Sequence, residues 1–305
     1  MLIVILGPTG AGKSAVAEYL APRLDGEVVG VDSMQVYRGL EVGTAKPTRE
    51  VRSRVPYHLV DVADPAVDFN LGDFVRSAEA AVEDIRGRGK IPILSGGTGM
   101  YLRGFLKGID PAPPRDPATR NALEALASRR GDAHLHRLLS GLDPEAAGAV
   151  GAADRMRLVR AVERVLLSGR PVRASSWAGA DRYPSVKIGL EWEPDALRRR
   201  IEERVEKMFR DGLVQETAAL MKRLPDGVSA LKALGYREVV GHLRGEADLE
   251  QTIQAVRRNT WRFSRRQMTW FRRETGVRWF PVDPARPLAV CGEVEKYAKL
   301  GLSSG

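Results

Sequence analysis

The sequence predicts an α/β protein, in which helices flank a parallel sheet and an all-helical insertion domain interrupts the core. Three observations predict this architecture. A glycine-rich loop lies between an apolar run and a helical pattern at the N-terminus. Apolar runs and helical patterns then alternate, which is typical of a parallel sheet. A proline-rich stretch follows near residue 111, and the patterns after it are helical up to about residue 180.

The N-terminal elements form a strand–helix–strand pattern. Residues 2–6 (LIVIL) are a continuous apolar run, which is typical of a strand buried on both faces. Residues 13–24 have apolar side chains at helical spacing, and residues 27–31 (EVVGV) predict a second strand that ends at Asp32. We expect these two strands to be parallel and their crossover to be right-handed.

The same alternation continues through a second glycine-rich segment. Residues 74–85 have one apolar helix face, and residues 91–94 (IPIL) predict the next strand. That strand ends at residues 95–99 (SGGTG). Because sites in such folds lie at the carboxyl ends of strands, the segment is a candidate for the same site as the first glycine-rich loop.

The prolines of residues 111–114 break any helix and predict a domain boundary. We therefore assign a catalytic core to residues 1–112 and 186–305, and a helical insertion domain to residues 113–185. The remaining predicted elements are helices at 117–130, 154–168, 195–211, 213–223, 230–243 and 250–274, and strands at 186–190 and 277–282.

Composition excludes several classes of protein. Cys291 is the single cysteine, so an internal disulfide framework and a cysteine-cluster zinc site are both excluded. No apolar run approaches the roughly 20 residues of a membrane-spanning helix. We expect a cytoplasmic protein without a membrane partner. The net charge of +9 is compatible with a polyanionic partner, but many basic proteins have none.

The first glycine-rich loop fits the pattern GxxxxGK[ST] of a phosphate loop, which makes the core a P-loop fold. Glycines let several backbone N–H groups converge on one anion, at the positive N-terminus of the next helix. Lys13 adds a charge and the Ser14 hydroxyl can ligate Mg²⁺. The motif predicts an oligophosphate or diphosphate ligand, with a nucleoside triphosphate as the default. Its residues are Gly7, Pro8, Thr9, Gly10, Ala11, Gly12, Lys13 and Ser14.

Asp32 ends the second strand, at the edge of the sheet where the phosphates are expected. Two roles are open for its carboxylate. It could help to hold Mg²⁺, as in nucleotide hydrolases, or act as a general base toward an acceptor beside the phosphates. The residues that follow, 33–37 (SMQVY) and 43–47 (GTAKP), are not typical of a nucleotidase.

Residues 32–47 (DSMQVYRGLEVGTAKP), together with the phosphate loop, closely resemble the tRNA dimethylallyltransferase family. The resemblance extends in order over most of the chain. Its further blocks are residues 96–102 (GGTGMYL), 154–163 (DRMRLVRAVE), 200–204 (RIEER), 235–237 (GYR) and 266–271 (RQMTWF).

The resemblance implies transfer of a dimethylallyl group from dimethylallyl diphosphate to the N6 amine of adenosine 37 in the tRNA anticodon loop. Pyrophosphate would be released, and the enzyme would act as a monomer. The phosphate loop would hold the diphosphate with Mg²⁺ on Ser14, and Lys13 and Arg204 would stabilise the leaving group. Asp32 would be the general base. The implied tRNA contacts are Asp32, Ser33, Met34, Gln35, Thr98, Arg120, Arg157 and Arg160.

Two other functions remain open at this point. A small-molecule kinase would consume ATP, and the segment DSMQVY beside the strand end favours the transferase over it. A basic RNA-binding module would have a vestigial phosphate loop, and the intact Lys13, Ser14 and Asp32 argue against that. Residues 255–275 carry seven arginines and four aromatic residues, a pattern that fits RNA contact and internal packing about equally.

Overall fold

The computed structural model describes four stretches of the chain: residues 1–109, 113–171, 177 and 179–303. Along these stretches, none of the helices combines the length and the apolar character that crossing a membrane requires. Within the predicted proline-rich boundary, residues 110–112 lie outside the described residues.

The chain divides into two compact units. Residues 1–106 and 181–305 form the core unit, and residues 107–180 form the insertion unit. These bounds differ by five or six residues from the predicted insertion at 113–185. The reason at the C-terminal side is local packing. The Arg182 N–H donates to the Leu106 carbonyl at 2.7 Å, and the Tyr183 ring stacks on a core-unit phenylalanine.

Six parallel strands form one sheet in the described part of the core unit, which confirms the predicted α/β class. They are β1 (Leu2–Leu6), β2 (Gly26–Val31), β3 (Tyr57–His58), β4 (Ile91–Gly96), β5 (Ser185–Glu191) and β6 (Val277–Pro281).

The strand order is β3-β2-β4-β1-β5-β6. β1 and β2 are therefore parallel, as expected, but β4 lies between them and pairs with both. This order brings the carboxyl ends of β1, β4 and β2 side by side. Because β4 and β5 flank β1 on opposite sides, β1 also lies at the point of the sheet where ligands bind in open α/β folds.

Helices cover both faces of the sheet. Alternate side chains of β1 point to opposite faces. Ile3 and Ile5 belong to one apolar cluster, and Leu2, Val4 and Leu6 belong to the other. The core-unit helices are α1 (Lys13–Leu20), α2 (Arg49–Arg54), α3 (Leu71–Gly87), α4 (Gly99–Lys107), α9 (Pro194–Arg210), α10 (Leu213–Arg223), α11 (Tyr236–Leu243), α12 (Leu249–Phe271) and α13 (Val290–Ser303).

The insertion unit is helical in the residues that the structure describes, and its core includes Leu135, Leu139, Leu158 and Val162. Its helices are α5 (Pro117–Arg130), α6 (Asp132–Leu142), α7 (Pro144–Ala149) and α8 (Arg155–Ser168). The sequence predicts α5 and α8 with their own bounds, whereas α6 and α7 lie in the part of the insertion that it predicts only as helical. In the core unit, the single helix predicted for residues 230–243 is instead a 3₁₀ turn followed by α11. The break lies at Gly235, whose φ of +92° favours glycine.

The buried carboxylate of Glu27 on β2 forms ion pairs and hydrogen bonds with neighbouring segments. It lies away from the glycine-rich loops. Glu27 is 2% exposed. Both of its oxygens accept hydrogen bonds from Arg88, one at 2.8 Å, and His58 Nε2 lies 2.7 Å away. Lys90 Nζ is at 3.2 Å. The hydrogen bonds from Arg88 are the main reason that the pKa of Glu27 falls to about 2.

Replacing Glu27 by glutamine should lower the free energy of unfolding by about 3 kcal/mol at pH 7. The carboxyl has a pKa near 4.5 when unfolded and about 2 when folded. Its stabilisation is therefore complete above pH 4.5 and is lost as the pH falls toward 2. Urea unfolding at pH 7 and pH 3 should show a difference between variant and wild type that shrinks to about half or less.

Asp84→Asn is the matched control, because Asp84 also pairs with Arg88, at 2.8 Å, but is largely exposed. Its effect should stay below about 0.5 kcal/mol at both pH values. An equal loss for the two variants, or a Glu27→Gln effect that does not depend on pH, would contradict the assignment.

Candidate active site

Three loops meet at the carboxyl ends of β1, β4 and β2. The phosphate loop follows β1, residues 97–98 follow β4, and Asp32 follows β2. The strand register aligns these ends, since Ile5 is opposite Ser95 and Val31 is opposite Gly96. The structure thus brings the two predicted glycine-rich segments and Asp32 together.

The phosphate loop has the geometry of an anion site. Gly10 and Gly12 have φ values of +82° and +89°, which side-chain-bearing residues rarely adopt. The N-cap residue of α1 is Gly12, which has no side chain to cap the helix. The N–H groups of its first turn therefore remain for a ligand, and the positive end of the helix favours an anion there. Lys13 Nζ donates to the Pro8 carbonyl at 2.8 Å.

Two adjoining cavities open beside the loop. The larger, of about 560 Å³, is lined by the phosphate loop and by basic side chains of α9, including Arg200 and Lys207. The smaller, of about 340 Å³, has more apolar walls, including Val205 and Met208. Five residues line both cavities: Thr9, Asp32, Thr44, Arg204 and Phe263.

Two cations are held close together in the larger cavity. Burial is the main cause that lowers the pKa of Lys13 to about 7, and the charge of Arg204 lowers it further. Burial also lowers the pKa of Arg204. Asp32 opposes both shifts, because its negative charge favours the charged form of each neighbour. A bound polyanion would relieve the repulsion between the two cations.

Three side chains that were not predicted brace the phosphate loop. Arg200 Nε donates to the Gly10 carbonyl at 2.7 Å, and Trp192 Nε1 donates to the Ala11 carbonyl at 3.0 Å. The Thr9 N–H donates to Gln267 Oε1 at 2.7 Å. Arg200 and Gln267 lie in segments that resemble family motifs. Residue type and spacing alone do not show whether such a side chain contacts the phosphate loop or is exposed at the surface, so the sequence did not predict these contacts.

Asp32 and the residues after it form a tight turn at the edge of the cavities. Asp32 Oδ1 accepts hydrogen bonds from the N–H groups of Met34 and Gln35, at 2.8 and 3.2 Å. The Ser33 N–H donates to Thr98 Oγ1 at 3.1 Å. The turn is therefore held from within and from the β4 loop, and it keeps the Asp32 carboxylate at the boundary between the cavities.

The segment around residues 41–47 is anchored by buried Lys46 and by half-buried polar side chains. Glu216 accepts hydrogen bonds from the N–H groups of residues 41, 42 and 43. Lys46 Nζ donates to the Tyr37 carbonyl at 2.6 Å and to Asp61 at 2.5 Å. Gln35 Nε2 donates to the Thr44 carbonyl at 3.1 Å. The amide of Gln35, a predicted tRNA contact, thus helps to fix the conformation of this segment.

The three arginines predicted to contact tRNA lie in the insertion unit. Arg120 and Arg160 both approach Glu163, which is fully buried, with N–O distances of 3.7 and 2.7 Å. Arg157 is instead 67% exposed and pairs only with Asp154 of its own turn, at 3.3 Å, among the ion pairs of the described residues. Arg120 and Arg160 therefore neutralise a buried carboxylate, whereas Arg157 points its charge into solvent.

No group of three or more His, Cys, Asp or Glu side chains in the described residues is arranged to hold a metal ion. The cleft offers several oxygen atoms to such an ion, among them the hydroxyl of Ser14, which is exposed at the start of α1, and the carboxylates of Asp32 and Glu203. A hard cation in this cleft would need further oxygen atoms from a ligand and from water.

Two family models match long stretches of the chain. The family model described as IPP transferase matches residues 35–274, and the model described as Isopentenyl transferase matches residues 1–57. The tRNA dimethylallyltransferase of Geobacter metallireducens is 44% identical over 282 residues, which cover 91% of each chain. That of Anaeromyxobacter dehalogenans (strain 2CP-C) is 44% identical and covers 97% of this chain and 99% of the relative.

Solved structures show the same likeness. The tRNA isopentenylpyrophosphate transferase from Bacillus halodurans superposes with a TM-score of 0.72 at 36% identity, and the match covers 99% of this chain and 98% of that chain. A eukaryotic dimethylallyltransferase described as acting on tRNA gives a TM-score of 0.80 at 25% identity, over 94% of this chain and 74% of that chain. With one family model matching most of the sequence and relatives this similar over almost all of it, the chain belongs to the IPP transferase family.

Proposed function

We propose that the chain transfers a dimethylallyl group from dimethylallyl diphosphate to the N6 amine of adenosine 37 in the tRNA anticodon loop, releasing pyrophosphate. One observation carries the proposal: Asp32 lines both the basic cavity before the phosphate loop and the adjoining, more apolar cavity. A general base between donor and acceptor needs this position. The names of the similar proteins support the choice of substrates.

The basic cavity suits the diphosphate of the donor. A phosphate loop contacts phosphate oxygens and not a base, so its N–H groups bind an allylic diphosphate as well as a nucleotide. Lys13 and Arg204 supply positive charge where the leaving group develops negative charge. The apolar walls of the adjoining cavity, Val205 and Met208 among them, suit the hydrocarbon part of the donor.

The reaction forms a bond from the adenine N6 nitrogen to C1 of the dimethylallyl group. The bond from C1 to the bridging oxygen breaks, and its electron pair leaves with pyrophosphate. A neutral exocyclic amine is a weak nucleophile, so Asp32 accepts its proton as the new bond forms. The base must leave the anticodon stack to reach this site, which takes a few kcal/mol. Ser33, Met34 and Thr98 line the cavity that would receive it.

The chemistry of the donor set fits Mg²⁺ as a partner of the diphosphate. Mg²⁺ prefers oxygen ligands and usually joins one or two protein groups to substrate phosphates and water. The Ser14 hydroxyl, exposed at the start of α1, is the protein group that we assign to it. Bound there, the ion would neutralise charge on the departing pyrophosphate.

The insertion unit is proposed to contact tRNA, mainly through exposed charge such as that of Arg157. A tRNA substrate implies a cytoplasmic enzyme. Every group assigned to the chemistry (Lys13, Ser14, Asp32 and Arg204) comes from the core unit of one chain, as a monomeric enzyme requires.

Asp32→Asn should lower kcat about 10²- to 10⁴-fold and leave the affinity for tRNA nearly unchanged. The amide oxygen can still accept the N–H groups of Met34 and Gln35, so the turn is kept while the proton acceptor is lost. The assay uses labelled dimethylallyl diphosphate and tRNA with adenines at positions 36 and 37. Asp226→Asn, an exposed site paired with Arg244, is the control and should be fully active.

A fully active Asp32→Asn variant would remove the general base from the mechanism. Wild-type protein that ignores dimethylallyl diphosphate and consumes ATP would show a kinase instead. Binding of RNA without turnover of either donor would point to a binding module.

Arg157→Ala should weaken tRNA binding and reduce the slope of log K against log salt by about one unit, since one phosphate contact would be lost. Filter-binding titrations at several salt concentrations measure this slope. Arg54→Ala is the matched control. Arg54 is 68% exposed and pairs with an acidic residue of its own helix, but lies on α2 of the core unit. Equal slopes for the two variants would exclude the assignment to Arg157.

A further inference from the structure

We infer that Gln267 is a positioning residue, whose side-chain amide fixes the phosphate loop relative to the general base Asp32. The inference rests on the proposed prenyl transfer. It assigns a role to α12, the helix that the sequence left open between RNA contact and packing.

Both ends of the Gln267 amide are used, and each contacts a different loop of the site. Its Oε1 accepts the N–H of Thr9 at 2.7 Å, and its Nε2 donates to the carbonyl of Gly97 at 2.8 Å. Both distances are those of well-formed hydrogen bonds. The two contacts join the loop after β1 to the loop after β4 through a single rigid group.

Gln267 differs from the other buried polar residues of α12 in where its hydrogen bonds go. The hydroxyls of Thr252, Thr260 and Ser264 donate to carbonyls of the same helix or of its N-cap residue. Gln267 is 6% exposed and directs its amide away from the helix to two other segments. A buried amide with both ends paired gives a defined geometry, whereas an apolar side chain here would leave the Thr9 N–H without its partner.

The lack of a side chain at Gly97 makes room for this contact. A Cβ atom at position 97 would lie 2.3 Å from Gln267 Nε2, so only glycine lets the amide approach the backbone. The second glycine-rich segment therefore admits a side chain from α12, in addition to turning the chain at the strand end.

From Gly97 the contacts continue to Asp32. The N–H of the next residue, Thr98, donates to the Val31 carbonyl at 3.1 Å, and Thr98 Oγ1 accepts the N–H of Ser33 at 3.1 Å. Val31 and Ser33 are the two chain neighbours of Asp32. An unbroken series of contacts thus runs from the phosphate loop through Gln267 to both sides of the general base.

Prenyl transfer needs a fixed distance between these two ends. The phosphate loop sets where C1 of the donor lies, and Asp32 sets where the attacking amine can lose its proton. A misplacement of about 1 Å between such groups can lower a rate about 10²-fold. Gln267 itself lines the basic cavity with Lys13 and Asp32, but no proton or bond of the reaction involves it.

The test compares Gln267→Met with wild type. Methionine keeps the length and the unbranched shape of the side chain but makes neither hydrogen bond. We expect kcat to fall about 10- to 100-fold and the KM for tRNA to stay within about twofold. Gln254→Met is the matched control, because Gln254 lies on the same helix and its amide donates only to Glu250 among the described contacts. It should keep wild-type kinetics.

A double mutant with Asp32→Asn distinguishes a positioning role of Gln267 from a general loss of structure. In an Asp32→Asn background there is no base to position, so adding Gln267→Met should lower kcat less than about threefold. The same fold loss in both backgrounds would overturn the inference, as would a Gln267→Met kcat within twofold of wild type. If Gln267→Met does not fold, Gly97→Ala replaces it. The added Cβ would lie 2.3 Å from Gln267 Nε2 and so displaces the amide from the Gly97 carbonyl without adding charge, and the same loss of kcat is expected.

The result distinguishes this inference from the proposed function. If wild-type protein does not transfer the dimethylallyl group, the proposed function fails and the inference falls with it. If wild type is active and the tested variant, Gln267→Met or Gly97→Ala, matches it, only the inference fails.

Discussion

The parallel order of β2, β4 and β1 is the constraint on which the site depends. Each strand contributes one loop, and the loops meet only because the three carboxyl ends lie side by side. The shared edge places Lys13 and Asp32 in one cleft, with Arg204 of α9 beside them. The electrostatic effects follow from that placement, since burial and the charge of Arg204 lower the pKa of Lys13 only when the side chains lie together.

Hydrogen bonds from buried and half-buried polar side chains hold the loops around the site. Glu216 binds three consecutive backbone N–H groups, and Lys46 binds Asp61 and a backbone carbonyl. Gln267 connects the two glycine-rich loops. Lys46 and Gln267 are buried. Polar groups are expensive to bury unless their partners are present, and when they are paired they define one geometry. A reaction between two substrates held at fixed separation benefits from that rigidity.

The arginines of the insertion unit show that one residue type serves two purposes within one helix. Arg160 is committed to Glu163, which is fully buried, while Arg157, less than one turn away, extends into solvent. Removing a partner from a buried ion pair destabilises a fold far more than removing an exposed charge. A loss of tRNA binding on mutation of Arg160 would therefore mix folding with recognition, whereas Arg157 reports on recognition alone.

The sequence by itself determined the local elements with strong periodicity and the motifs within them: the strand at residues 2–6, the phosphate loop and the position of Asp32 at a strand end. It missed α4, because Gly99 and Gly104 weaken the helical signal and burial of the helix against the core offsets that weakness. Tertiary structure alone decided that β4 separates β1 from β2, and that Gln267 reaches Thr9, 258 residues away in sequence. Periodicity records which face of an element is buried, whereas strand order and side-chain partners depend on contacts between distant segments that no local pattern encodes.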